Sequence, residues 1–120
     1  MIKKVCSYEV MNFQNTEIYE IHAEFCKAIA NPKRLMIIDK IGADKITVGD
    51  LAKALDLSIS NISQHLKVLR NYEVVKSEKV GHQVYYALTD IRLVHTCIQI
   101  RSIISDLYKK RKDVFNSNSS

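Results

Sequence analysis

The chain has 120 residues, with 18 Lys and Arg against 13 Asp and Glu, a formal net charge of +5 and a pI near 9.1. That length allows one domain whose modest core stands to gain from pairing with a second copy, and the positive balance favours a polyanionic partner without proving one. No apolar run has membrane-spanning length and the start MIKKVCSYEV lacks the apolar centre of a secretory signal, so no membrane association is expected and the cytoplasm is the expected location.

Residues 1–14 read as a weakly patterned arm, 15–112 as a single domain and 113–120 as a disordered polar tail. A first helix is expected over 16–30, with Ile18, Ile21, Phe25 and Ile29 as its apolar stripe. Asn31 followed by Pro32 is a helix cap followed by the favoured first helical position, so a second helix starts there and ends near Gly42, with Leu35, Ile38 and Ile41 facing the core.

The segment 47–71, TVGDLAKALDLSISNISQHLKVLRN, reads as two short helices joined by a tight corner. Thr47 caps the first, with Asp50 placed to return a reciprocal bond, and Leu51, Ala52 and Leu55 form its apolar face. Leu57 packs the corner, Ser58 or Ser60 caps the second helix, and Ile62, Leu66 and Leu69 form one buried stripe. The opposite side carries Ser60, Asn61, Ser63, Gln64, His65 and Lys67, hydrogen-bonding side chains of the kind that read base edges and phosphates from a major groove. Thr47 and Ser58 are placed to join them.

Segments 74–79 and 83–88 are rich in β-branched and aromatic residues and meet at Gly81-His82, which predicts a hairpin. Val84, Tyr86 and Leu88 alternate toward one face, and Lys79 and His82 stand at the tip where a protruding wing could touch DNA phosphates or a minor groove. A last helix is expected from a Thr89 cap to about Lys112, with Leu93, Cys97, Ile100, Ile104 and Leu107 along one face and the basic run 109–112 at its negative dipole end. The expected fold is therefore mainly α with a small β-hairpin, a winged helix-turn-helix. The apolar faces of the first and last helices suit a two-fold homodimer, which would set two reading helices on an inverted-repeat operator in double-stranded DNA.

Three segments carry a resemblance to the ArsR/SmtB family of small dimeric repressors: AEFCKAIANPKRLMIID at 23–39, SISNISQHLKVLR at 58–70 and VGHQVYYAL at 80–88. The resemblance spans most of the chain and implies a DNA-binding repressor released by an inducer. Metal-sensing relatives often carry Cys-x-Cys at the start of the helix that here reads Thr47-Val48-Gly49-Asp50-Leu51, where no thiolate is available. A second family arrangement, on the last helix, falls here on Asp90, Arg92, Ile103 and Asp106, and arginine and isoleucine cannot bind a metal ion. No metal and no cofactor is therefore expected.

Three cysteines in a reducing compartment are not a disulfide framework. Cys26 on the first helix and Cys97 on the last are the candidates for sensing an oxidant or reactive sulfur species, and Cys6 could complete a three-thiolate arsenite site with them. Relatives that sense sulfide or persulfide place the early cysteine on the second helix, near Asp39 here, and the alternative is that both thiols are structural. His22 and His95 are ligand candidates or interface residues. An enzyme fails on inventory: there is no glycine-rich phosphate loop and no His-Glu-x-x-His, and only three glycines are present to shape a catalytic loop.

Overall fold

Side-chain caps and one proline set where every helix after the first begins. The computed structural model describes residues 16–118. Their elements are α1 (Glu17–Ile29), α2 (Pro32–Ile41), β1 (Lys45–Thr47), α3 (Val48–Leu55), α4 (Ile59–Asn71), β2 (Val75–Val80), β3 (Gln83–Leu88) and α5 (Arg92–Asn118). Asn31 Oδ1 accepts from the backbone N–H of Lys33 at 2.9 Å and of Arg34 at 3.2 Å, with Pro32 at the first helical position of α2. Thr47 Oγ1 accepts from Asp50 N at 3.1 Å and Ser58 Oγ from Asn61 N at 3.0 Å, so both helices of the 47–71 unit open on hydroxyl caps. The cap of α4 is thus Ser58, and Ser60 lies inside the helix.

The corner between α3 and α4 turns on Asp56, whose φ of +55° places it in the left-handed region that short polar residues tolerate. Its N–H caps the carbonyls that end α3, and Leu57 N donates to Ala52 O while its side chain packs on the core. That core is a continuous seam in which Ile37, Ile38 and Ile41 of α2, Leu51 of α3 and Ile62, Leu66 and Leu69 of α4 are at most 1% exposed. Val74, Val75 and Leu88 close it from the sheet side. Ile37 takes the buried place that the pattern gave to Leu35, which is half-buried at the edge.

The sheet has three strands where the sequence predicts two. Order is β1-β3-β2, all antiparallel, with Ile46 opposite Tyr86 and Lys79 opposite Val84. The short segment 45–47 covers the edge of β3 and ties the start of α3 to the wing, so the hairpin does not stand alone. At its tip, Gly81 has a φ of +65° and His82 does not share the sign, the pattern of a tight hairpin turn with glycine at its first central position.

Two expectations about the last helix are corrected. Thr89 is not its cap: the hydroxyl donates toward Glu73 O at 2.7 Å and Val74 O at 3.1 Å, pinning the entry of β2 to the exit of β3. Asp90 Oδ1 instead accepts from Arg92 N at 2.9 Å, and the Arg92 guanidinium holds that carboxyl down at about 2. The helix also continues past Lys112 as far as Asn118, because no proline or glycine interrupts it, so 113–118 is helical where a disordered tail was expected. The expected arm at 1–14 lies outside the described residues.

The seam makes stability depend on α4 more than on its cap. Leu66→Ala is expected to cost about 2 to 5 kcal/mol and Ser58→Ala about 1 kcal/mol. Urea denaturation of both variants measures the difference, and similar losses for the two would contradict a core centred on α4.

Candidate nucleic-acid interface

With Ile62, Leu66 and Leu69 fixed in the core, the 3.6-residue repeat of α4 decides what remains outside. Ser60, Ser63, Gln64 and Lys67 are exposed, as the sequence predicts. Ile59, at the first helical position, is 59% exposed. The sequence pattern did not mark it; an exposed apolar group there can contact a thymine methyl.

Three predicted residues are committed in part to the protein itself. The hydroxyl oxygens of Thr47 and Ser58 serve as caps, leaving their O–H groups for a phosphate. Asn61 is half-buried with its Oδ1 turned inward and accepting no hydrogen bond among the described residues, so its amide N–H₂ is the group left to face outward partners.

His65 has a role the sequence did not suggest. It is half-buried, and its Nδ1 accepts from Arg34 Nε at 3.2 Å, while Arg34 Nη1 donates to Ala28 O at 2.9 Å near the end of α1. An accepting Nδ1 places the single proton of the neutral ring on Nε2. Burial lowers the His65 pKa below its ordinary 6.5, and the charges of Arg34 and Lys33 lower it further. Arg34 is therefore a bracket between α1, α2 and α4, set 31 positions from His65 in sequence, a separation that no local pattern reports.

The wing tip presents Lys79 and His82 in the open, and a Cβ on Gly81 would meet nothing within 4 Å. Lys45 pairs with Glu78 at 3.6 Å and lies 5.3 Å from the centre of the Tyr85 ring, so the wing is steadied from β1 rather than from the core alone. The pair is exposed on both sides and adds little energy by itself.

Cys97 is 5% exposed and its thiol is pushed up by burial, with the Asp39 charge adding to the rise and Arg101 opposing it. Those same two groups bond each other, Arg101 to Asp39 at 2.9 to 3.0 Å, joining α2 to α5. Cys26 is exposed, both are free thiols, and Cys6 lies outside the described residues. His22 and His95 are exposed, and among the described residues no group of three or more His, Cys, Asp or Glu is placed to hold a metal ion.

A capped helix with an exposed polar row, set on a buried seam beside a basic-tipped hairpin, defines a winged helix-turn-helix DNA-binding regulator of transcription rather than an enzyme. Residues 31–77 match the family model described as bacterial regulatory protein, arsR family. The nodulation protein NolR of Rhizobium meliloti is 37% identical over 89 residues, 74% of this chain and 70% of that protein. A transcriptional repressor SmtB homolog of Synechocystis is 41% identical over 68 residues, 57% of this chain and about half (52%) of that protein. Among solved structures, that described as reduced HlyU from Vibrio cholerae superposes with a TM-score of 0.65 at 30% identity, covering 76% of this chain and 97% of that one. The chain belongs to the ArsR/SmtB family. No helix among the described residues is long and apolar enough to cross a membrane.

Because His65 is held neutral in the fold, the unfolded chain binds more protons below pH 6.5. Its contribution to stability is complete above that pH and is lost as pH falls through the lower folded-state pKa. The slope of unfolding free energy just below pH 6.5 should flatten in His65→Asn, whose Oδ1 can still accept from Arg34 but does not titrate. An unchanged slope in that variant would remove His65 as the responsible group.

Proposed function

We propose that the chain is a homodimeric cytoplasmic repressor that holds an inverted-repeat operator and releases it when an inducer acts on its thiols. The observation that carries the DNA side is the row Ser60, Ser63, Gln64 and Lys67, exposed on a helix whose other face is fully buried. Such a helix cannot roll to hide those groups, so they are presented in fixed register to a groove. The hydroxyls of Thr47 and Ser58, the Asn61 amide and the wing residues Lys79 and His82 add phosphate and groove contacts, and His65 keeps the helix in place beside them.

Support for a dimer comes from α5, where Ile100, Ile103, Ile104 and Leu107 are 45 to 57% exposed. Burying the exposed half of such side chains is worth about 0.8 to 1.5 kcal/mol each, and the matching helix of a second copy offers the same face. Ile21 of α1 adds to it, also exposed. The word repressor in the name of the Synechocystis relative supports repression as the sense of regulation.

The inducer reading rests on Cys26 and Cys97. An oxidant removes two electrons and two protons as a pair of thiols forms one S–S bond, and a polysulfide supplies the same oxidation together with bridging sulfur. A solved relative described by its reduced state fits such chemistry. A soft-ion reading with arsenite held by Cys6, Cys26 and Cys97 uses the same thiols. The reading in which both cysteines are structural draws on Cys97 itself, buried and with a raised pKa.

Gln64→Ala is expected to lower preference for a selected operator duplex by about 1 to 3 kcal/mol while leaving affinity for unrelated duplex nearly unchanged. Competition binding at one salt concentration reads this directly; equal loss on both duplexes would take base reading away from Gln64.

Thiol treatment should weaken operator binding by about 5- to 150-fold, the range of ordinary coupling energies. Polysulfide, peroxide and arsenite are compared on the parent, Cys26→Ser, Cys97→Ala and Cys6→Ser. Release that persists in all three variants sinks thiol sensing, and a response to arsenite alone that needs Cys6 moves the assignment to a soft-ion sensor.

A further inference from the structure

Between α4 and the wing lies a cavity of about 300 Å³ lined by Ser63, Leu66, Lys67, Arg70, Asn71 and Tyr86. Leu66 forms its apolar floor, being 1% exposed. The five other side chains all carry a hydrogen-bond donor: a serine hydroxyl, an ammonium, a guanidinium, an amide and a phenol. No acidic side chain lines the cavity.

The helix repeat explains the convergence. Ser63, Lys67 and Arg70 stand at i, i+4 and i+7 of α4 and so form one row, separate from the core row at Ile62, Leu66 and Leu69. Tyr86 comes from β3, opposite Ile46 in the register, and closes the cavity from the sheet. Ion pairs among the described residues engage Lys27, Lys45, Arg92 and Arg101; Lys67 and Arg70 take no part in them. Two cations outside those ion pairs, with three neutral donors around one recess, suit an anion, and a row of donors along a helix suits a phosphate backbone better than a base edge.

We propose that this cavity seats a phosphate of the duplex backbone, with Arg70 and Lys67 as its charge partners and Ser63, Asn71 and Tyr86 as neutral donors. The assignment rests on the DNA reading above and adds Arg70, Asn71 and Tyr86, none of which the sequence placed among the DNA-contacting residues. It also gives α4 a division of labour: its first turns carry Ile59, Ser60 and Gln64 toward the bases, and its last turn fixes the depth at which they enter.

The test uses the full chain, a duplex it selects from a random pool, and an unrelated duplex of equal length, measured by fluorescence anisotropy across a salt series. Lys67→Gln with Arg70→Gln should weaken both duplexes by a similar factor, preserve their ratio and reduce the slope of log affinity against log salt by about 1 to 2. Tyr86→Phe should weaken both modestly and leave the slope unchanged, because it removes a neutral donor. A double variant that binds with the parent's slope, or that loses only the selected duplex, overturns the pocket. A parent that binds neither duplex overturns the DNA reading and the pocket together. Inorganic phosphate is titrated into the free protein in parallel. If it raises the melting temperature of the parent but not of the double variant, while DNA binding is the same in both, the site belongs to a free anion and the backbone assignment fails.

Discussion

The polar row of α4 hangs on the burial of Ile62, Leu66 and Leu69 against Ile37, Ile38, Ile41 and Leu51. A helix of 13 residues is marginal alone in water, so its hydroxyl cap and propensity do not suffice to hold it. The seam supplies the missing energy and also fixes the rotation of α4, since turning it by one residue would exchange Leu66 for Lys67 in the core. Presentation of the polar row and stability of the fold are thus the same constraint. The absence of buried charged side chains among the described residues fits this: the core is apolar throughout, and specificity is left to the surface.

The Arg34 bracket adds a mechanical consequence. One guanidinium holds the carbonyl of Ala28 in α1 and the imidazole of His65 in α4, so the end of a helix with an open apolar face is tied to the reading helix by two hydrogen bonds. Any displacement of α1 against a partner must either carry α4 along or break a bond to a partly buried group. Such a link transmits a two-state change at an interface without a long pathway, provided the interface itself has two arrangements.

Legibility in the sequence followed the range of the interaction. The helices of 47–71, the cap at Asn31 and the hairpin turn at Gly81 are set by neighbours within a few positions, and each was readable from periodicity and cap chemistry. β1 was not, because Lys45-Ile46-Thr47 is too short to show alternation and exists only through pairing with Tyr85, Tyr86 and Ala87. Thr89 looked like a cap by type, but Asp90 took that role and the threonine hydroxyl went to carbonyls 15 and 16 positions away. At the site the exposed face of α4 was readable from the stripe it opposes. The inward turn of His65, the orphaned Asn61 oxygen and the cavity under Tyr86 depend on contacts between elements, which one sequence does not encode locally.

The surroundings of Cys97 bear on how any thiol signal would travel. A buried thiol with a raised pKa reacts slowly as it stands, so an inducer acting there must first find α5 partly opened. The groups that bear on it are Asp39 and Arg101, whose bond ties α5 to α2, and α2 carries both the Ile37, Ile38 and Ile41 side of the seam and the Arg34 bracket. Modifying Cys97, which is 5% exposed, would add volume in a packed spot, and strain in such a place is relieved by moving a whole element rather than one side chain. The element nearest to hand is α2, and through Arg34 its motion reaches His65 on the reading helix.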